Sequence, residues 1–262
     1  MVRLAAGRYR LDAPLALLEG ITVRGAGAGR TIVESTAGEA GILVLTDARV
    51  ELRALTVRHR GKRPSDLVVG GPTSALVVTD VRLEGARATA KGVGGNAVLM
   101  TARTGATPDR GTTLQVTGAS FAGNASAGVM LAGGHRASIR RSRFSGNGEC
   151  GVCFLDASSG AVRSSRFVGN KVGVAVLDRA KPLLLGDTFA GGAVGVQVSG
   201  RARAVVRRAD VSGATRAAII FSDRTRGRVD RSTCADVPFG VVVAPDALPF
   251  VGDNDCAVAR GG

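Results

Sequence analysis

The residues best suited to chemistry lie in the middle of this 262-residue chain. Asp156 and Asp178 stand one repeat of a periodic pattern apart, and His135 precedes Asp156 by slightly less. Arg136 follows His135, while Arg179 and Lys181 follow Asp178. Two carboxyl groups held close repel, so one keeps its proton while the other ionises, which supplies an acid and a base. A neighbouring Arg or Lys neutralises an anionic substrate or takes the proton α to a carboxylate. His135, Asp156, Asp178, Arg179 and Lys181 are therefore the candidate catalytic set. A second reading stands beside this one: turn Asp residues are common because they bond their own backbone, and His135 reads equally as a solvated loop side chain.

The chain carries 35 Lys and Arg against 21 Asp and Glu, a formal net charge of +14. Arg140, Arg163 and Arg207 recur with the same period, as do Arg143 and Arg166. Stacked like charges repel unless an anion bridges them, so the column reads as a footprint for a polyanion, or else as a solvated face of a chain rich in Arg. Arg136, Arg140 and Arg163, with Arg103 and Arg110 from an inserted segment, are the candidate substrate-binding residues. Nucleic acid is a disfavoured partner, because single-strand and RNA readers stack bases on aromatic rings and aromatics here are 3% with no Trp. His59 sits in the basic run Arg58-His59-Arg60-Gly61-Lys62-Arg63 and reads as surface. Cys150-x-x-Cys153 looks like half of a zinc or redox motif, but no second pair follows at a useful spacing. No metal or cofactor is expected. Alternation predicts Cys150 inward and Cys153 outward. Cys234 and Cys256 are predicted to be buried thiols, and the spacing of the four suits a reducing compartment.

What positions these residues is an internal repeat. One apolar column runs Phe121, Phe144, Phe167, Phe189, Val211, Cys234 and Cys256, at intervals of 22 or 23. Six or seven residues later comes Gly128, Gly151, Gly173, Gly195, Ala217 and Gly240, each followed by a short aliphatic strand such as Val152-Cys153-Phe154. Five residues before the Phe column lies a third: Val116, Ile139, Val162, Leu184, Val206, Val229 and Val251. Short Val- and Ile-rich segments between Gly and Asn turns read as strands. Such a period is too short for a βαβ unit of about 30 residues, so each repeat is one coil stacked about 4.8 Å from the next. The predicted fold is all-β, a right-handed parallel β-helix of about 9–10 coils forming a single domain over residues 1–262. Asn124, Asn147 and Asn170 are predicted to form a ladder at a left-handed turn.

Upstream the pattern is less regular. Val57 and Leu83 fit the Phe column and Ala97-Val98-Leu99-Met100 fits a post-Gly strand, so the excess length falls in two loops, 84–96 and 101–113. The second carries Arg103, Asp109 and Arg110 toward the side of Asp156 and Asp178. No apolar run is long enough to span a membrane. Met1-Val2-Arg3-Leu4 lacks the layout of a signal peptide, which slightly favours a cytoplasmic setting. Unpaired end coils template association, so self-association, a fused domain, or an irregular cap of residues 1–20 around Tyr9 is expected at the ends.

Phe144-Ser145-Gly146-Asn147 with Gly151-Val152 resembles the repeat of the pectate-lyase-like (pectin lyase fold) superfamily. The opening, Ala6-Gly7-Arg8-Tyr9, Ile21-Thr22-Val23-Arg24-Gly25-Ala26-Gly27 and Thr31-Ile32-Val33, is similar to its first coils. The resemblance covers essentially the whole chain and implies a fold rich in polysaccharide lyases, hydrolases and uronate epimerases. The motifs of the well-known enzymes are incomplete: Gly134-His135-Arg136 matches only the G-H element of polygalacturonases, and no Asp-Asp pair occurs. The calcium carboxylates and Arg base of pectate lyases are not carried over intact. The expectation is a carbohydrate-active protein that binds or processes an acidic, uronate-like polysaccharide by lyase, hydrolase or epimerase chemistry. The alternative is a non-catalytic β-helix interaction module within a longer protein.

Overall fold

The computed structural model describes residues 1–101 and 113–261. Among these, strands alternate with short turns and coil into three parallel sheets of 11, 10 and 11 strands, with no helix. One coil shows the plan: Arg136–Arg140 lies in the first sheet, Arg143–Ser145 in the second and Cys150–Phe154 in the third. Each strand pairs with its equivalents in the neighbouring coils, as Ile139 does with Val116 and Val162.

The predicted columns are the core. Val116, Ile139, Val162, Leu184, Val206 and Val229 are fully buried. The rings of Phe121, Phe144, Phe167 and Phe189 stack at centroid distances of 4.6, 4.8 and 4.8 Å. The Gly column follows from that stack: a Cβ on Gly151 would lie 2.5 Å from the Phe167 ring, and one on Gly173 2.4 Å from Phe189. Asn124, Asn147 and Asn170 are buried, and the Nδ2 of each of the first two donates to Oδ1 of the next at 2.9 and 2.7 Å. The left-handed residue of that turn is the preceding Gly (Gly123, Gly146, Gly169; φ 60° to 61°) rather than the Asn.

The Gly column also corrects the cysteine assignment. Pairing skips Gly151, since Ala127 meets Cys150 and Val129 meets Val152. This interrupts the alternation, and Cys150 and Cys153 emerge together in a small buried cluster with Ala127 and Ala175, apart from the main core. They are disulfide-bonded, as are Cys234 and Cys256. The column stacks the latter pair with Cα atoms 5.0 Å apart, within bonding geometry, so the expected buried thiols are absent.

The first insertion leaves the coil between Arg82–Glu84 and Val98–Met100 and is pinned by antiparallel bridges, Ser65 to Arg87 and Ala88 to Gly94. Most of the second, with Arg103, Asp109 and Arg110, lies outside the described residues. Residues 1–20 form no irregular cap. Val2–Arg3, Gly7–Leu11 and Leu15–Leu17 pair in register with the next coil, and Tyr9 packs against the core.

Candidate polyanion-binding face

The turn from the third sheet to the first holds Asp156 and Asp178, both exposed and both left-handed, with φ 55° and 58°. Asp178 Oδ2 accepts from the Asp156 amide at 3.0 Å, and Asp156 Oδ2 accepts from the Gly133 amide at 2.6 Å. Asp223 does the same for Gly200 at 2.8 Å. Each carboxylate thus holds the amide of the preceding coil, in a left-handed turn where Asp is favoured.

His135 does not join them. Its column continues through Ser158, Ala180, Ala202 and Thr225, all fully buried, and the two Ala belong to the main core. Burial holds the His135 imidazole below its ordinary pKa, against a smaller pull from the Thr101 backbone. Its ring therefore faces the interior, while Asp156, Asp178 and Arg179 face solvent. His59, read from sequence as surface, is also buried, with Nε2 3.0 Å from the Arg63 carbonyl oxygen.

What the structure does bring together is the cationic set. In Arg136–Arg140 the side chains of Ala137 and Ile139 point inward and those of Arg136, Ser138 and Arg140 outward. The same alternation puts Arg163, Lys181, Arg203 and Arg226 on that outer face. Arg140 is in register with Arg163, Arg203 with Arg226, and Ser159 stands between Arg136 and Lys181. Among the described residues none of these six cations forms a salt bridge. Elsewhere the helix does pair its charges: Glu34 lies 2.8 Å from Arg58, and Glu84 2.7 Å from Arg82, on the outside of the second sheet.

Small side chains leave room between the cations. Arg136 and Arg163 flank a depression of about 380 Å³ over Ala137, Gly160 and Ala161. Gly160, at φ 132°, runs so close to the Ala137 carbonyl that no side chain fits there. Sequence reading singled out Arg136, Arg140, Arg163 and Lys181 but missed Arg203 and Arg226. The signal was present, because both occupy the first position of their strand, as Arg136 and Lys181 do.

A family model for the right-handed beta helix region matches residues 19–189 and 109–256. The chain belongs to this family. As a right-handed β-helix it is similar to the A-module of mannuronan C-5 epimerase AlgE6 from Azotobacter vinelandii, at 16% identity and TM-score 0.59, over 100% of this chain and 87% of that one. The catalytic unit of a GH87 alpha-1,3-glucanase from Streptomyces thermodiastaticus aligns at 13% identity and TM-score 0.59, over 100% of this chain and 63% of its own. The enzymatically active domain of bacteriophage CBA120 tailspike protein 2 aligns at 10% identity and TM-score 0.61, over 91% and 43%. The chain spans about three-fifths of the length of the glucanase domains it matches. At these identities the likeness is one of fold. No curated protein sequence matches.

Proposed function

We propose that this β-helix binds an acidic polysaccharide along the outer face of its first sheet. The observation that carries the proposal is the set of six cations, Arg136, Arg140, Arg163, Lys181, Arg203 and Arg226, on one regular surface and without a salt-bridge partner among the described residues. Their rows repeat at the strand spacing of about 4.8 Å, so an extended anion lying along the helix axis meets cations on successive coils. The outward positions between them, Ser138, Ala161, Leu183 and Val205, are small or aliphatic. They offer no ring on which a base could stack, and the exposed Phe250 at the end of the same column has the Arg228 guanidinium 4.6 Å over its ring, which favours a glycan over a nucleic acid. The fold is shared with carbohydrate-active proteins, among them one whose name specifies mannuronan.

Affinity electrophoresis through gels containing alginate, polygalacturonate or neutral dextran tests this. Retardation by the acidic gels, lost in an Arg136→Ser/Arg163→Ser/Lys181→Ser triple variant, is the expected result. Equal mobility in acidic and neutral gels overturns it, and stronger binding to single-stranded DNA than to either acidic glycan favours the nucleic-acid reading.

A further inference from the structure

The second sheet turns into the third around a pocket that the cationic face does not use. It has a volume of about 670 Å³ and is walled by the insertion through Thr89, Val93 and Gly94. Asp66, Glu39 and Arg63 line it. Adjacent coils supply the two carboxyl groups, because Glu39 pairs with Ser65 and Ala40 with Asp66.

Asp66 differs from an ordinary surface carboxylate. It is 6% exposed, and its Oδ1 accepts from both the backbone N–H and the Nδ2 of Asn96, at 2.7 and 2.9 Å. Its Oδ2 accepts no hydrogen bond among the described residues. Asn96 is itself held, its Oδ1 accepting from the Ala127 amide at 3.2 Å. One oxygen is thus anchored through two coils, and the other has no hydrogen-bond partner among the described residues. Glu39 and Arg63 are exposed and form no salt bridge among the described residues. Val93, 68% exposed, and Pro64 add apolar surface at the wall.

We propose that this pocket cleaves a glycosidic bond, with Asp66 as the proton donor and Glu39 as the base. Asp66 Oδ2 gives its proton to the glycosidic oxygen as the bond from that oxygen to the anomeric carbon breaks. Glu39 takes a proton from a water whose oxygen forms the new bond to the anomeric carbon. Two free sugar ends result, electrons stay paired throughout, and the two carboxyl groups exchange protons with solvent to reset. Burial raises the Asp66 carboxyl above its ordinary pKa against the two Asn96 hydrogen bonds, the direction a proton donor needs. Glu39, exposed at the rim, suits the opposite role. Arg63 and the apolar wall select a saccharide that carries an anionic or strongly hydroxylated ring with one apolar face.

The pocket and the cationic face lie on different sides of the coil and fail independently. The test incubates the whole chain with alpha-1,3-glucan oligosaccharides, polygalacturonate and alginate, and counts new reducing ends. Release from at least one, without the ultraviolet absorbance of an unsaturated uronate, is expected. Asp66→Asn and Glu39→Gln are each expected to lower the rate by roughly 100-fold or more with an unchanged circular dichroism spectrum. Glu39→Gln alters only an exposed side chain and stays informative if Asp66→Asn unfolds. No reducing ends from any of the three polymers, an unsaturated product, or wild-type rates in Glu39→Gln overturns the proposal.

Discussion

Phe144 and Phe167 lie face to face one coil apart, with ring centroids 4.8 Å apart and planes inclined by 7°. Both are 1% exposed or less, and the glycines of the facing strand close over them. Their separation is the strand spacing itself, so neither ring can move without disturbing the pairing Phe144 to Phe167 that holds the second sheet. Truncating either ring opens a cavity in a ladder that cannot collapse along its axis. Phe144→Ala and Phe167→Ala are each expected to cost about 3–5 kcal/mol, read from chemical denaturation. A loss under about 1 kcal/mol would show that the neighbouring coils repack.

Asp187 gives a pH signature of stability. It occupies the column of Ser142, Ser165 and Ser232, and its oxygens accept from the Ser165 and Leu185 amides at 2.8 and 3.1 Å. Burial, which outweighs these bonds and the charge of Arg163, pushes its carboxyl up to about 7. In the unfolded chain it ionises near pH 4, so between about pH 4 and pH 7 the folded state binds the extra proton and stability falls as pH rises. The contribution is complete below about pH 4 and lost above about pH 7, on the order of 4 kcal/mol. Asp66 adds in the same sense, while buried His59 and His135, with lowered pKa values, lose stability as pH falls below about 6.5. Asp187→Ser restores the residue of its column and is expected to raise the melting temperature at pH 8 far more than at pH 5. An equal change at both pH values would mean that Asp187 ionises normally in the fold.

The columns were legible because stacking repeats the same requirement every 22 or 23 residues. Positions such as Phe144 or Ile139 announce themselves wherever the coil is uninterrupted. His135 was misplaced because a polar residue was read by type rather than by column, and the small residues Ser158, Ala180, Ala202 and Thr225 were the available sign of an inward position. Cys150 was misplaced because the break at Gly151 shifts the alternation, and only the pairing register shows that break. Asp66 was invisible for a different reason. The insertion after Glu84 separates its coil from the regular repeats, so no column aligned it with Asn96, on whose hydrogen bonds its setting depends.

The bond between Cys234 and Cys256 closes a loop of 22 residues at the C-terminal coils. Loop-closure entropy for that length corresponds to about 3 kcal/mol at most. Because each coil touches mainly its neighbours, the loss on Cys234→Ser/Cys256→Ser is expected to be local. Hydrogen exchange should speed up at Val241–Val243 and Leu248–Val251 and stay slow at Cys150–Phe154. Uniform acceleration along the chain would show instead that the coils unfold as one unit.

The cationic face makes the sharpest demand. Arg140 and Arg163 are paired across adjacent strands, and among the described residues neither forms a salt bridge; like charges so placed destabilise a sheet by roughly 0.2–1 kcal/mol. Removing one is therefore expected to stabilise the fold slightly while weakening the polyanion. Arg207 serves as the control, because it already pairs with Asp230 at 2.9 Å. Asp230 is held below its ordinary pKa: burial alone would raise it, but hydrogen bonds and charge from Arg228 and Arg207 outweigh that. Arg207→Ser leaves that carboxylate with Arg228 alone, so it is expected to lower stability and to reduce retention in alginate gels no more than Arg163→Ser does. Screening shortens the reach of exposed charges to about 8 Å at physiological salt and about 3 Å at 1 M, so retention in alginate should fall steeply between those conditions. In Arg140→Ser/Arg163→Ser the salt dependence should be shallower, with a melting temperature equal to or above that of the wild type. A double variant that melts lower and retains its salt dependence would mean that these two arginines hold the sheet together and bind nothing.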